Sequence, residues 1–359
     1  MLTGTDTVAA AFATTAHRQA SRPAFVAAGS VTTWAQLAGR VRLLTLGFGA
    51  SGVGPGARVR VAVRAPVDRR AVEVALACLG AVRTGGTAAE RSTGGIEVIV
   101  DQDLEGLAIA GGQVDEAEPD QFERRSRSVD ADAPAVEDDI AIWTQRQLLW
   151  GARSVAAALA ATAGDRLFST LPPGEATGWV CGALLPILTG ASSSAESPDR
   201  STLIDVRPTL LVCRDDDVGS MGLAAPPPRE TGVRALGRRL GRGLAPAPIS
   251  GLEACRAALV VGAGAGAARL AGAGVPARVA VTWSGHAGLV TGAAGPSGGL
   301  GRPLPGVTIA IDDEGEVLVR SPAVAAGWAR DGWLHTGWTG TIDSAGGLSA
   351  VAGPTAGGG

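Results

Sequence analysis

The stretch Gly301–Leu348, GRPLPGVTIAIDDEGEVLVRSPAVAAGWARDGWLHTGWTGTIDSAGGL, is the most legible part of this 359-residue chain. Val307, Ile309 and Ile311 alternate with smaller or polar neighbours, and Val317 and Val319 resume the alternation after Asp312-Asp313-Glu314-Gly315. A period of two on both sides of an acidic turn that ends in glycine predicts an antiparallel hairpin.

Upstream the pattern is different. Thr32 or Thr33 is placed to cap a helix whose apolar stripe is Trp34, Leu37, Ala38, Val41, Leu44 and Phe48, ended by the Gly52–Gly56 run. Val59, Val61 and Val63 then read as a strand, Asp68 opens a helix carrying Val72, Ala75, Leu76 and Leu79, and Ile96–Val100 reads as a buried strand. Residues 115–139 are acidic and aperiodic and read as a linker or long surface loop. The rhythm resumes with strand Ile140–Trp143, helix 147–163, strand Leu167–Thr170, helix 178–189 and strand Thr209–Cys213. After a Pro/Gly-rich break at 222–251 come strand Ala258–Val261, a short helix at 265–273 and strand Val279–Val281.

Alternating β and α units predict mostly parallel sheets covered by helices. The expected fold class is therefore α/β: two doubly wound subdomains followed by a small antiparallel β unit. The expected boundaries are 1–135 (with the acidic linker at its end), 136–290, 291–352 and a flexible tail at 353–359.

Composition narrows the function. Apolar residues make up 46% and charged residues 18%, which suits a globular chain. All 31 basic residues are Arg, and Lys, Tyr and Asn are absent, so no step that needs an ammonium can be run by these residues. A net charge of −3 gives no general attraction to nucleic acid or anionic lipid, and the five arginines between Arg229 and Arg242 read as a solvated face. Cys78, Cys181, Cys213 and Cys255 are dispersed in apolar stretches, without metal-ligand spacing or disulfide density. Asp6 interrupts any signal-like start, and the longest apolar run, Trp179–Ala191, is too short to span a bilayer and contains Pro186. A soluble, cytoplasmic protein is expected.

Three stretches in order resemble the acyl-CoA synthetases, the AMP-dependent synthetase and ligase family of the adenylate-forming superfamily, over residues 7–353. They are the opening Thr7–Val26 with the helix, Gly-Val-Gly-Pro-Gly turn and first strand; Gly164–Ser192; and Gly301–Leu348, with its Gly-Arg-Pro-Leu-Pro-Gly-Val and Gly-Trp-Leu-His-Thr-Gly runs. The resemblance implies the large N-terminal lobe of an enzyme that activates a carboxylic acid as an acyl-adenylate and passes it to a thiol. It implies cofactor contacts at Gly262, Ala263, Thr282, Trp283, His286 and Trp338, and substrate contacts at Glu175, Gly178 and Gly288. Its ligands would be an acyl or nucleotide-like small molecule, with AMP or an acyl-adenylate as the nucleotide.

Measured against that family the motifs are degenerate. A Ser/Thr/Gly-rich phosphate loop ending in Pro-Lys-Gly should follow the strand that ends at Thr144, yet the chain passes through Gln145-Arg146 into the next helix. The metal-holding Glu of the adenine motif falls at His286 or Ala287, and no Asp or Glu occurs between Glu253 and Asp312, so a Mg²⁺ site is not expected. Trp338 stands where an Asp should hold the ribose, and the chain turns to Pro354 where the family continues into a mobile lobe with a catalytic Lys. The expected catalytic residues are therefore none. The chain reads as a ligand- or partner-protein-binding homologue without ligase turnover, or alternatively as a residual acyl/aryl-CoA ligase completed by a lobe from another chain.

Competing motifs are weaker. Val260–Ala267 matches a relaxed dinucleotide fingerprint but lacks the acidic residue about 20 positions on. Gly295–Gly299 fits Gly-x-Ser-x-Gly without a strand-turn-helix around it. His17, His286 and His335 share no metal spacing, and His335 reads as structural. A carboxylate at Glu175, where the family guards its acyl tunnel, would disfavour a long apolar chain.

Overall fold

The computed structural model describes residues 7–27, 29–85, 98–100, 104–194, 200–221, 251–262, 264–292 and 299–353. Most of the 222–251 break, the Arg229–Arg242 cluster, most of the Gly295–Gly299 loop, Ala263 and the tail beyond Gly353 lie outside the described residues.

Local chemistry sets the helix starts. The Thr33 hydroxyl accepts the Gln36 N–H while the Gln36 side chain accepts the Thr33 N–H, a capping box that opens helix Trp34–Ala50. Its expected stripe is buried at Trp34, Leu37, Val41, Leu44 and Phe48. Helix Pro66–Leu79 starts on proline and stops at Gly80, which takes a left-handed φ of 69°.

Two stacks of strands carry the α/β part. One sheet runs β5 (Val98–Val100), β3 (Arg58–Val61), β4 (Val82–Thr84), β6 (Pro134–Glu137) and β7 (Ile142–Thr144), parallel except for the last pairing. The larger sheet runs β12 (Ala277–Ala280), β11 (Ala257–Val261), β10 (Leu210–Arg214), β8 (Arg166–Ser169), β9 (Ser192–Ser194) and β1 (Pro23–Ala27), all parallel, with β2 (Ser30–Thr33) antiparallel at the edge. The third is antiparallel: β13 (Thr308–Ile311), β14 (Glu316–Arg320), β16 (Trp333–Ile342) and β15 (Ala329–Arg330), with β17 (Leu348–Ala352) on β16. The hairpin read from the sequence is there, with Ile309 opposite Val319 and Ile311 opposite Val317.

The sheets do not follow chain order. Residues 23–33 leave the first part of the chain to edge the larger sheet through Phe25 beside Ser193, while residues 134–144 close the smaller one. One continuous core joins both sheets and the β unit, from Val8 to Leu348, and a second core lies around Phe168, Leu211, Val260 and Leu270.

The segment 115–139 is not a loop. It holds the end of helix Leu104–Ala117, helix Gln121–Arg127 and β6. Its charges are tertiary pairs: Arg42 donates Nε to both Asp115 oxygens at 2.9 and 3.0 Å and Nη1 to Glu123 at 2.6 Å, above the Phe122 ring. Such pairing has no period along the sequence, which is why a periodicity reading misses it. The 178–189 helix begins at Ala176 and passes through a π-helical turn at Val180–Leu184 before Leu185–Thr189. No helix among the described residues is long and apolar enough to cross a membrane.

Candidate functional site

In an open α/β sheet, ligands gather outside the carboxyl ends of the parallel strands. Here those ends are Ser169 on β8, Arg214 on β10, Val261 on β11 and Ala280 on β12. Much of the polar chemistry beyond them is already spent on the protein itself. The Thr170 hydroxyl donates to Asp217 at 2.5 Å, and Arg214 pairs with Glu175 at 2.7 Å. Glu175 is therefore a half-exposed ion-pair partner.

Gly262 sits where β11 ends, at a φ of 146°, with Asp215 so close that a Cβ would meet the Asp215 Cβ at 2.6 Å. The Asp215 carboxylate accepts the Gly266 N–H at 2.6 Å. That carboxylate occupies the N-terminus of helix Ala265–Gly272, the place a dinucleotide phosphate would take. The Gly-x-Gly-x-x-Gly-like run is thus a strand-to-helix turn closed by its own carboxylate.

Five of the predicted residues, Thr282, Gly288, Gly178, Trp283 and His286, lie close together along the chain or through hydrogen bonds. The Thr282 hydroxyl donates to the Gly288 carbonyl at 3.0 Å and lies 3.3 Å from the Thr177 hydroxyl, beside Gly178. Trp283 is buried. His286 is buried too, with Nε2 2.8 Å from the Ser321 hydroxyl and Nδ1 3.4 Å from the Gly288 carbonyl. Burial pushes its pKa down to about 4, so the ring is neutral near pH 7. Around it, Ala287 N donates to Ala323 O and Ala325 N to Gly285 O, each at 2.9 Å. His286 thereby ties the larger sheet to the β unit, with both ring nitrogens engaged. Trp338 lies on β16, where its ring packs against Gly353.

The strand-to-helix junction of the expected phosphate loop is fully described. β7 ends at Thr144, and Thr144 is itself the N-cap of helix Gln145–Leu159. Its hydroxyl accepts the Gln147 N–H at 3.2 Å, and the Gln147 side chain accepts the Thr144 N–H at 2.9 Å. Gln145 is buried, accepting from Val8 N and donating to Ala77 O. No residue intervenes between strand and helix, and the capping box occupies the N–H groups of Thr144 and Gln147. Nucleoside triphosphate and Mg²⁺ find no match in these residues: β7 runs straight into a self-capped helix, and His286, one of the two residues expected at the metal carboxylate's position, is a neutral imidazole with both nitrogens engaged.

What the fold does leave open is a cavity of about 300 Å³ between helix Pro66–Leu79 and the Ser169–Ala183 segment. Gly178 lines it and is needed as glycine, since a Cβ there would lie 1.8 Å from Pro172 O. Arg69, Arg70, Glu73, Ser169, Trp179 and Asp217 complete the polar and aromatic lining, with Arg83 stacked on the far side of Trp179. Sequence reasoning missed Arg70, Glu73 and Arg83. The signal was present: charges at the centre of an apolar helix and inside a three-residue buried strand are anomalous. The thiols play no part, since all four are free and buried, and burial pushes the Cys78 and Cys181 pKa values up to about 12.

The sheet order and the terminal hairpin unit can be compared with known folds. A benzoate CoA ligase from Burkholderia xenovorans LB400 is 18% identical, with 96% of this chain and 79% of that one covered at a TM-score of 0.71. The N-terminal domain of FACL13 from Mycobacterium tuberculosis is likewise 18% identical, covering 96% of this chain and all of that one at 0.71. A long-chain-fatty-acid-CoA ligase from Archaeoglobus fulgidus superposes at 0.75 with 14% identity, covering 97% and 84%. The chain thus has the fold of the N-terminal lobe of acyl- and aryl-CoA ligases. Among curated proteins, a 7a-methyl-1,5-dioxo-octahydro-1H-inden-4-yl propanoyl:CoA ligase of Rhodococcus jostii (strain RHA1) is 42% identical over 57 residues, 13% of this chain and 11% of that protein. The match thus spans about a tenth of the relative's length. No family model matches the chain.

Proposed function

We propose that this chain is a ligand-binding homologue of the CoA-ligase lobe that does not adenylate its ligand. One observation carries this reading: Thr144 ends β7 and caps the next helix, so no residues stand between the two to form a phosphate loop. Each preorganised donor of that kind is worth roughly 10²–10³ in rate, so losing the whole cradle removes the first step. The resemblance puts His286 or Ala287 where the metal carboxylate would stand and Trp338 where the ribose-holding Asp would stand; with His286 neutral in the fold, this supports the same conclusion. Four buried, unpaired thiols accord with work in the reducing cytoplasm.

Titration calorimetry with ATP·Mg²⁺, AMP and a non-hydrolysable acyl-adenylate mimic tests it, paired with an assay for pyrophosphate release in the presence of carboxylic acids. The expected result is no micromolar heat from ATP·Mg²⁺ and no pyrophosphate. Micromolar ATP binding with acid-dependent pyrophosphate release would falsify the reading. That outcome would favour the second one, a residual CoA ligase, for which the 42% local identity to a propanoyl:CoA ligase is the supporting observation.

A further inference from the structure

Three metal-ligating side chains converge on the terminal β unit, and none of them belongs to the site described above. Asp312 opens the turn between β13 and β14, Glu316 begins β14, and His335 lies on β16. Asp312 Oδ1 accepts the N–H groups of Glu314 at 3.0 Å and of Glu316 at 2.7 Å, which orients its carboxylate. Glu316 Oε1 accepts the Gly337 N–H at 2.7 Å, and Oε2 lies 2.9 Å from His335 Nδ1. One ligand atom from each of the three residues lies within 4.8 Å of the other two. Among the described residues, no other group of three histidine, cysteine, aspartate or glutamate side chains converges in this way.

The register of the sheet produces the arrangement. Leu318 pairs with His335 and Glu316 with Thr339, so β16 advances four residues while β14 advances two. Such bulges re-aim side chains. This one sets the Gly337 N–H and the His335 ring on the two oxygens of one carboxylate.

A hydrogen bond between Glu316 and His335 accounts for two of the three residues and leaves Asp312 unexplained. A second carboxylate held beside the first is repelled by it unless a cation lies between them. Elsewhere in the fold, arginine supplies that cation: Asp115 and Glu123 share Arg42, Glu137 pairs with Arg58, and Asp165 pairs with Arg256. Among the described residues, Glu316 has only His335, which is charged only when protonated, and Asp312 has no cationic partner. Two carboxylate oxygens and an imidazole nitrogen suit a divalent transition-metal ion, whereas Ca²⁺ and Mg²⁺ favour oxygen alone. Around an ion that holds each ligand at about 2.1 Å, neighbouring ligand atoms lie about 3 Å apart, as Nδ1 and Oε2 do. His335 is half-exposed, which leaves room for water to complete the shell.

We propose that Asp312, Glu316 and His335 bind one divalent transition-metal ion of the Zn²⁺ class, which clamps the hairpin turn to β16. The nucleotide reading above has no part in this proposal. Untagged full-length chain, treated with a chelator and desalted, is titrated with Zn²⁺ by calorimetry, and its thermal midpoint is read with and without the ion. The expected result is one equivalent of Zn²⁺ bound with a Kd on the order of micromolar, together with a raised midpoint. Mg²⁺ and Ca²⁺ at the same concentration should leave the midpoint unchanged. His335→Gln and Asp312→Asn should each weaken Zn²⁺ binding by roughly tenfold or more and remove the rise in midpoint. Asp312→Asn keeps the oxygen that accepts the two turn N–H groups, so a role confined to the turn would leave the affinity for Zn²⁺ as it was. Absence of a one-equivalent binding event overturns the proposal. Undiminished Zn²⁺ affinity in either folded variant also overturns it, since the ion would then be held elsewhere, and so does Ca²⁺ binding tighter than Zn²⁺.

Discussion

His286 shows how one buried side chain makes stability depend on pH. Its ring is neutral in the fold because burial depresses its pKa to about 4, whereas an exposed histidine in the unfolded chain titrates near 6.5. The unfolded state therefore binds more protons between these values. Stability is complete above about pH 6.5 and declines as pH falls toward 4, by on the order of 3 kcal/mol in all. Urea unfolding at pH 7.5 and pH 5 should show this loss, and His286→Gln should remove most of the difference. An unchanged slope in the variant would mean that other groups set the dependence. The sequence offered His286 or Ala287 as the residue expected at the metal position. That His286 bonds Ser321, 35 residues away, was not legible there, because the partner arrives on a different element.

Two close approaches decide how the elements stack. Helices Trp34–Ala50 and Leu104–Ala117 cross through Gly47 and Gly111, where a Cβ would lie 2.0 Å from Leu107 O and 1.9 Å from Leu43 O. Backbone cannot yield as a side-chain tip can, so Gly111→Ala should cost about 2–3 kcal/mol, read as a lowered midpoint in thermal unfolding. In a sequence, Gly111-Gly112 looks like a helix breaker; in the fold, the first of the two glycines is what lets the helices meet. At the opposite end of the larger sheet, Asp165 precedes β8 and accepts from Thr209 at 2.8 Å and from Arg256 at 2.7 and 2.9 Å, gathering the starts of β8, β10 and β11. It also accepts the Thr162 N–H at 2.8 Å. Those bonds hold its carboxyl well below the usual carboxylate range despite burial. Its contribution is present above pH 4 and is lost as pH falls through the lowered value. Asp165→Asn should therefore cost about 2 kcal/mol at pH 7 and much less near pH 2, measured by denaturant titration.

At the scale of the molecule, the chain threads its sheets out of order. β1 and β2, residues 23–33, cover the β9 edge of the larger sheet, while β6 and β7 close the smaller one. A fragment spanning residues 136–290 would expose that edge and part of the shared core. It should be largely unfolded or aggregated by circular dichroism and gel filtration, whereas the full chain should melt in one main transition. A well-folded fragment with the parent's melting temperature would show that the sheets are independent. The inter-sheet cavity has one wall from helix Pro66–Leu79 and the other from residues 169–183.

The sequence by itself determined the α/β class, the terminal hairpin and the starts of helices Trp34–Ala50 and Ala265–Gly272. Each of these is local: a period, a cap or a turn residue is visible within about a dozen neighbours. Tertiary structure alone decided that 115–139 is helical and strand-forming, that Asp215 fills the turn after β11, and that Glu175 pairs with Arg214. It alone brought Arg70, Glu73 and Arg83 together, since they come from a helix and a strand whose packing no spacing rule encodes. Charge compensation in a protein interior is a property of distances in space, and the positions along the chain do not contain those distances.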